Sequence, residues 1–268
     1  MLNALKDLFR SAPSPTAPRV PAGTRYYVIG DVHGRLDLFE AMMDAIEADI
    51  SRDGDAEARI ILLGDLVDRG PDSAGVIAAA REWQSRRNVR VLAGNHEEMF
   101  LQAFEKPEIL RHFLKHGGRE TILSYGLSRK RFNTLELDEL FAMLPRLVPP
   151  EEREYIASFE EMIVAGDYVF VHAGVDPGKP LEAQNRNDLL WIRDRFLDHD
   201  GPLEKVVVHG HTIFDRVMDC GNRIGIDTGA FRSGVLTALV LEADQKRIMQ
   251  ACQQDDGPIE TFHGDRAS

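Results

Sequence analysis

The chain has 268 residues, 43% of them hydrophobic, and a mean hydropathy of −0.27. It can bury a sizeable core, yet no apolar run approaches the roughly 18 residues that a membrane span requires. Lys plus Arg total 32 against 44 Asp plus Glu, a net charge of −12 that disfavours non-specific attraction to nucleic acid or anionic lipid and makes any phosphate recognition local.

Residues 1–24 read as a tail. Leu2, Leu5 and Leu8/Phe9 fall at helical spacing, which fits a frayed end or a weak amphipathic docking helix, and the Pro-rich stretch 11–18 reads as a linker. The main domain is expected over 25–254. From residue 25 onward one pattern recurs: a short, β-branched apolar run ends in a polar loop. Residues 26–29 run into Gly30-Asp-Val-His-Gly34, and 60–63 into Gly64-Asp-Leu-Val-Asp-Arg-Gly70. Residues 89–92 precede Gly94-Asn-His-Glu97, 168–171 precede His172-Ala-Gly174, and 206–208 precede His209-Gly-His-Thr212. These runs are buried-strand candidates.

Helical patterns alternate with them. Leu36, Phe39, Met42/Met43 and Ile46 keep a period near 3.6, and 73–83 carries an apolar Ala/Val face. Strand–helix alternation predicts βαβ units in a largely parallel sheet, whose ligands bind at the carboxyl ends of the strands, where all five polar loops fall. Residues 98–163 read as a helical insertion, with helices near 99–104, 108–115 and 135–144 and turns at Gly117-Gly118 and Ser124-Tyr-Gly126. Further on, 223–226, 235–241 and 247–252 are expected as antiparallel strands completing a second sheet, with a turn at 243–246. Residues 255–268 are expected as a solvated tail. Cys220 and Cys252 have neither metal-site spacing nor disulfide density, which predicts packing roles in a reducing cytoplasm.

The loops collect Asp31, His33, Asp65, Asn95, His172 and His211. This oxygen and imidazole set suits divalent Mn, Fe or Zn, and the absence of thiolates argues against a closed structural zinc site. Asp31 and His33 suffice for one ion, Asn95, His172 and His211 can serve another, and a carboxylate such as Asp65 can bridge them.

In this order, the five loop motifs resemble the phosphoprotein phosphatase family of calcineurin-like metallophosphoesterases. The resemblance spans about residues 25 to 241 and extends to Leu189-Leu-Trp-Ile-Arg193 and Ile226-Asp-Thr-Gly229. It implies an α/β fold, a four-layer αββα sandwich with a two-metal centre, Mn foremost. By motif, one ion would be held by Asp31, His33 and Asp65, the other by Asp65, Asn95, His172 and His211. Asp68 and His96 resemble the family's proton-donating dyad, and Arg69 and Arg193 its phosphate-binding arginines, although Arg195 lies close enough to exchange roles with Arg193. His209 is expected not to be a ligand. The expected activity is hydrolysis of phosphoserine or phosphothreonine in a protein or peptide substrate by a metal-activated water. The rival is a diadenosine tetraphosphate hydrolase with a nucleotide substrate. Asp68 favours the monoesterase, because a serine alkoxide needs a proton and a phosphate leaving group does not. A non-catalytic adaptor would be expected to have lost a ligand, and none is missing.

Overall fold

The computed structural model describes residues 17–52, 56–255 and 257–264. The apolar spacing at Leu2 to Phe9 and most of the linker lie outside the described residues. The chain engages the fold from Arg19, whose N–H donates to Asp167 Oδ2 at 2.8 Å, and Val20 is buried.

Among the described residues, eleven strands form two mixed sheets. The first has the order β11-β10-β9-β1-β2-β3: β1 (Thr24–Ile29), β2 (Glu57–Leu62) and β3 (Val89–Val91) run parallel, while β9 (Val235–Glu242), β10 (Gln245–Gln253) and β11 (Ile259–His263) join antiparallel. The second has the order β4-β5-β6-β8-β7, from Met162–Ala165, Tyr168–Val171, Val206–His209, Arg223–Gly225 and Met218–Asp219 for β4, β5, β6, β8 and β7.

Strand periodicity explains the layering. Side chains alternate between faces, so Tyr26 and Val28 of β1 enter a core shared with Phe170, Val208 and Ile224 of the other sheet. Tyr27 and Ile29 enter a second core, against Leu38, Phe39, Met42 and Ile46 of α1 (Leu36–Arg52) and Val76, Ile77, Ala80 and Trp83 of α2 (Ser73–Arg86). A third core joins Val169, Val171 and Val207 to α9 (Arg186–Trp191) and α10 (Asp194–Leu197) through Leu189, Leu190 and Phe196. The result is αββα, as expected. Each fully buried side chain of this size contributes about 1.5 to 3 kcal/mol.

The insertion is helical, as expected: α3 (Asn95–Gln102), α4 (Pro107–Phe113), α5 (Arg119–Ser124), α6 (Arg129–Phe132), α7 (Leu137–Leu147) and α8 (Pro150–Ala157) add Phe100, Phe113, Ile122, Leu144 and Ile156 to the helix-side core. Gly117 is a kink inside a helical run, with φ of 107°, rather than an open turn. At the far end of the sheet, the buried Asp49 of α1 accepts hydrogen bonds from Tyr27 Oη at 2.6 Å and Arg52 at 2.7 Å, and also from Arg247 of β10.

Cys220, expected to pack, is exposed whereas Cys252 is buried, and three expectations about strands are corrected. The strands near 235–241 and 247–252 extend the first sheet instead of completing a second one. The run at 223–225 lies in the second sheet and pairs antiparallel with β7, as expected, but it runs parallel to its other neighbour, β6. Residues 259–263, expected in the solvated tail, form the edge strand β11. For Val235–Glu242 the cause is that an apolar run buried along most of its length carries no record of which neighbour it pairs with. The half-exposed edge strand β11 carries too little apolar pattern to announce itself.

Candidate active site

The five polar loops leave the carboxyl ends of β1, β2 and β3 in one sheet and β5 and β6 in the other, so the two sheets aim their loops at one place. Among the described residues, seven other than glycine have left-handed φ, and five lie here: His33 (47°), Asp65 (50°), Asp68 (73°), Arg69 (69°) and His211 (63°). Each such conformation costs about 1 to 3 kcal/mol, and strain of this kind gathers where geometry is held for function.

Two groups of ligand atoms converge tightly enough to hold an ion: Asp65, His172 and His211, and His33, Asp65 and His96. In the first, Asn95 Oδ1 lies 2.9 Å from His172 Nε2 and 2.7 Å from His211 Nδ1, and Asp65 Oδ1 lies 3.4 Å from His172 Nε2. His172 Nδ1 is 2.9 Å from Leu63 O, so a neutral ring donates there and turns its Nε2 lone pair toward the Asn95 and Asp65 oxygens. Electron-rich atoms facing one another in this way can share a cation. Burial lowers the pKa of the His33, His172 and His211 imidazoles, the last to about 2. Burial would raise the Asp65 carboxyl, but the surrounding imidazoles of His172, His96, His33 and His211 hold it low. His211 Nε2 is buried without a partner. These donors fit divalent metal ions.

Asp31 stands beside the two groups. Its carboxylate accepts the His211 N–H at 3.0 Å, and burial together with Asp227 and Asp65 raises its pKa. Asp227 was not among the expected site residues. It is 1% exposed, Oδ1 accepts the Gly229 N–H at 2.9 Å, and Oδ2 has no partner.

Asp68 Oδ2 meets Nδ1 of His96, itself a member of the second group, at 2.6 Å, with both residues buried. Burial opposes a charged His96, but Asp65 and Asp68 outweigh it and raise its pKa; burial also raises Asp68. Both directions keep a proton in the pair. The Arg69 guanidinium reaches His33 Nε2 at 2.5 Å and His96 Nε2 at 2.8 Å, and stacks 4.8 Å over the Phe231 ring. Arg193 reaches Thr212 Oγ1 at 3.3 Å, whereas Arg195 is committed to Asp188 at 2.6 Å and Asp176 at 3.2 Å.

All ten residues expected at the site are therefore brought to one locality. His209 lies apart from the ligand groups, ringed by Phe196 and Phe214, and burial pushes it down to about 4. Residue-by-residue reading missed Glu97, Thr121 and Asp227. The Glu97 carboxylate accepts N–H bonds from Asp65, Leu66, Val67 and Gly94 at 2.8 to 3.2 Å, which ties the second loop to the third. Its signal was its place in Gly94-Asn-His-Glu97. Asp227 sat in the quoted Ile226-Asp-Thr-Gly229, whereas Thr121 had no signal beyond the glycine pair before it.

A family model described as calcineurin-like phosphoesterase matches residues 24–227. The chain belongs to the calcineurin-like phosphoesterase family. As a member, it is a hydrolase acting on phosphoesters. It is 30% identical to serine/threonine-protein phosphatase 1 of Salmonella typhimurium, over 79% of this chain and 89% of that one. It is 26% identical to a symmetrical bis(5'-nucleosyl)-tetraphosphatase of Chromohalobacter salexigens, over 84% and 97% of the respective chains. The structure of a cold-active protein tyrosine phosphatase superposes with a TM-score of 0.53 at 20% identity, over 89% of this chain and 78% of that one, which supports the calcineurin-like fold alone. No helix among the described residues is long and apolar enough to cross a membrane.

Proposed function

We propose that this phosphoesterase is a serine/threonine protein phosphatase acting on phosphorylated proteins or peptides in the cytoplasm. In this reading Asp31, His33 and Asp65 hold one divalent ion, and Asp65, Asn95, His172 and His211 hold a second. Mn is the ion proposed, with Fe or Zn as the alternatives, because a mixed set of carboxylate, amide and imidazole donors accommodates all three. Bound ions would supply Lewis-acid polarisation of the phosphoryl group and make water more acidic.

The chain's own residues do the rest. Arg69 and Arg193 offer forked donors to the phosphoryl oxygens and orient the group. As water attacks phosphorus, the P–O bond to serine or threonine breaks, and His96 gives a proton to the departing oxygen through Nε2. Asp68, bonded to Nδ1, holds the ring in register and favours its charged form. The observation that carries this reading is the 2.6 Å Asp68–His96 contact, since a buried acid beside the ligand cluster serves an alkoxide leaving group.

The second reading, a dinucleoside polyphosphate hydrolase, draws support from the tetraphosphatase relative, whose likeness spans 97% of that protein. Comparing kcat/KM of the Mn-loaded enzyme on phosphoserine peptides, diadenosine tetraphosphate and p-nitrophenyl phosphate tests both. A preference for the peptide supports the phosphatase; a dominant rate on the tetraphosphate overturns it.

A further inference from the structure

Asp68 is held from behind by groups outside the expected site. While Oδ2 faces His96, Oδ1 accepts the Thr121 hydroxyl at 2.6 Å. The same hydroxyl oxygen lies 2.9 Å from the Asp68 N–H, and Ser73 Oγ lies 3.0 Å from both that N–H and Thr121 Oγ1. Asp68, Ser73 and Thr121 are all fully buried. The next residue is gripped by the same segment: the Arg69 N–H donates to Gly117 O at 3.1 Å, and a Cβ at Gly117 would lie 2.7 Å from Arg69 Cγ. Gly117 and Thr121 both belong to the helical insertion, so the left-handed pair Asp68–Arg69 is clamped by that insertion.

A carboxylate bonded only to His96 could turn about its terminal torsion, which is broad and soft. With Oδ1 tied to a buried hydroxyl, turning breaks a charge-assisted bond. We infer that Thr121 is a positioning residue for proton donation: its hydroxyl locks the Asp68 carboxylate so that Oδ2 stays on His96 Nδ1, which makes the helical insertion part of the catalytic apparatus. The inference rests on the proton-donor role proposed for His96. A hydroxyl that merely props up a strained loop would affect every substrate alike, whereas one that aims the acid matters only where the leaving group needs a proton.

The test uses the full Mn-loaded chain. Because a positioned acid contributes about 10² to 10⁴ in rate, Thr121→Val is expected to lower kcat on a phosphoserine peptide by about 10-fold or more, and on p-nitrophenyl phosphate by less than about 3-fold. Thr121→Ser, which keeps the hydroxyl, is expected to restore the peptide rate to within about 3-fold. In proton NMR of the chain loaded instead with diamagnetic Zn, which spares nearby resonances the paramagnetic broadening of Mn, the downfield His96 Nδ1–H resonance should persist in wild type and Thr121→Ser and be lost or shifted in Thr121→Val. Equal losses on both substrates, an unchanged resonance in Thr121→Val, or no rescue by serine overturns the inference. If Thr121→Val does not fold, Thr121→Ala on the Asp68→Asn background replaces it: an added peptide-rate loss below about 2-fold supports the inference and a larger one overturns it. If wild type cleaves neither monoester, the proposed function fails, and the NMR signature still decides the role of Thr121.

Discussion

Gly210 presents a bare α-carbon to Asp31: a Cβ there would collide with Asp31 Oδ1, and the N–H of the next residue, His211, donates to that carboxylate. The loops of the two sheets touch at this point, so the placement of Asp31 depends on a glycine 179 positions away in the chain. Gly210→Ala is expected to displace Asp31 and reduce bound Mn from two ions to one per chain. Asp65→Asn should be worse, since its carboxylate faces both ligand groups, while His209→Ala should leave the stoichiometry intact. Elemental analysis of the reconstituted variants decides. Equal metal loss in Asp65→Asn and His209→Ala would contradict the ligand assignment.

Arg193 bonds Thr212, the neighbour of His211, whereas Arg195 is held by two carboxylates. A charge-assisted hydrogen bond contributes about 1.5 to 3 kcal/mol, so Arg193→Ala or Arg69→Ala should lower kcat/KM by roughly 10- to 150-fold with metal content unchanged. Arg195→Ala should instead lower thermal stability by releasing Asp176 and Asp188, with a smaller kinetic effect. A larger kinetic loss in Arg195→Ala would reverse the two roles.

His96→Asn should lose about 10² to 10⁴ in kcat on a phosphoserine peptide and far less on p-nitrophenyl phosphate, whose leaving group needs little protonation. Asp68→Asn should show the same bias in weaker form. Steady-state kinetics on the two substrates provides the check, and losses of the same size on both would remove the acid role.

Asp49 supplies a pH-dependent part of stability away from the site. Burial would raise its carboxyl, but the bonds from Arg247, Tyr27 and Arg52 outweigh it and lower the pKa from 3.8 to about 2. A depressed folded pKa contributes stability above the unfolded value that is lost as pH falls through the folded one. Asp49→Asn is therefore expected to cost about 2 kcal/mol at pH 7, with the gap to wild type closing between about pH 4 and pH 2. Urea denaturation across that range measures it; a gap independent of pH would refute the linkage.

Much of the candidate site was legible in the sequence, because each candidate ligand follows a short apolar run within a few residues, and local chemistry at a strand end needs no long-range information. The motifs held Asp31, His33, Asp65, Asn95, His172 and His211 in order, and helical period and glycine placement marked the insertion. Tertiary structure decided the rest. Which sheet received Val235–Glu242 depended on pairing with Thr24–Ile29, a contact across some 200 residues that neither run's local pattern specifies. Arg193 was separated from Arg195 only when Asp176 and Asp188 arrived beside one of them. Thr121, unremarkable on a six-residue helix, gained meaning from a hydroxyl brought to Asp68 across 53 residues. Periodicity and motif are properties of neighbours in the chain, whereas hydrogen bonds between buried polar groups belong to neighbours in space, which only the folded chain defines.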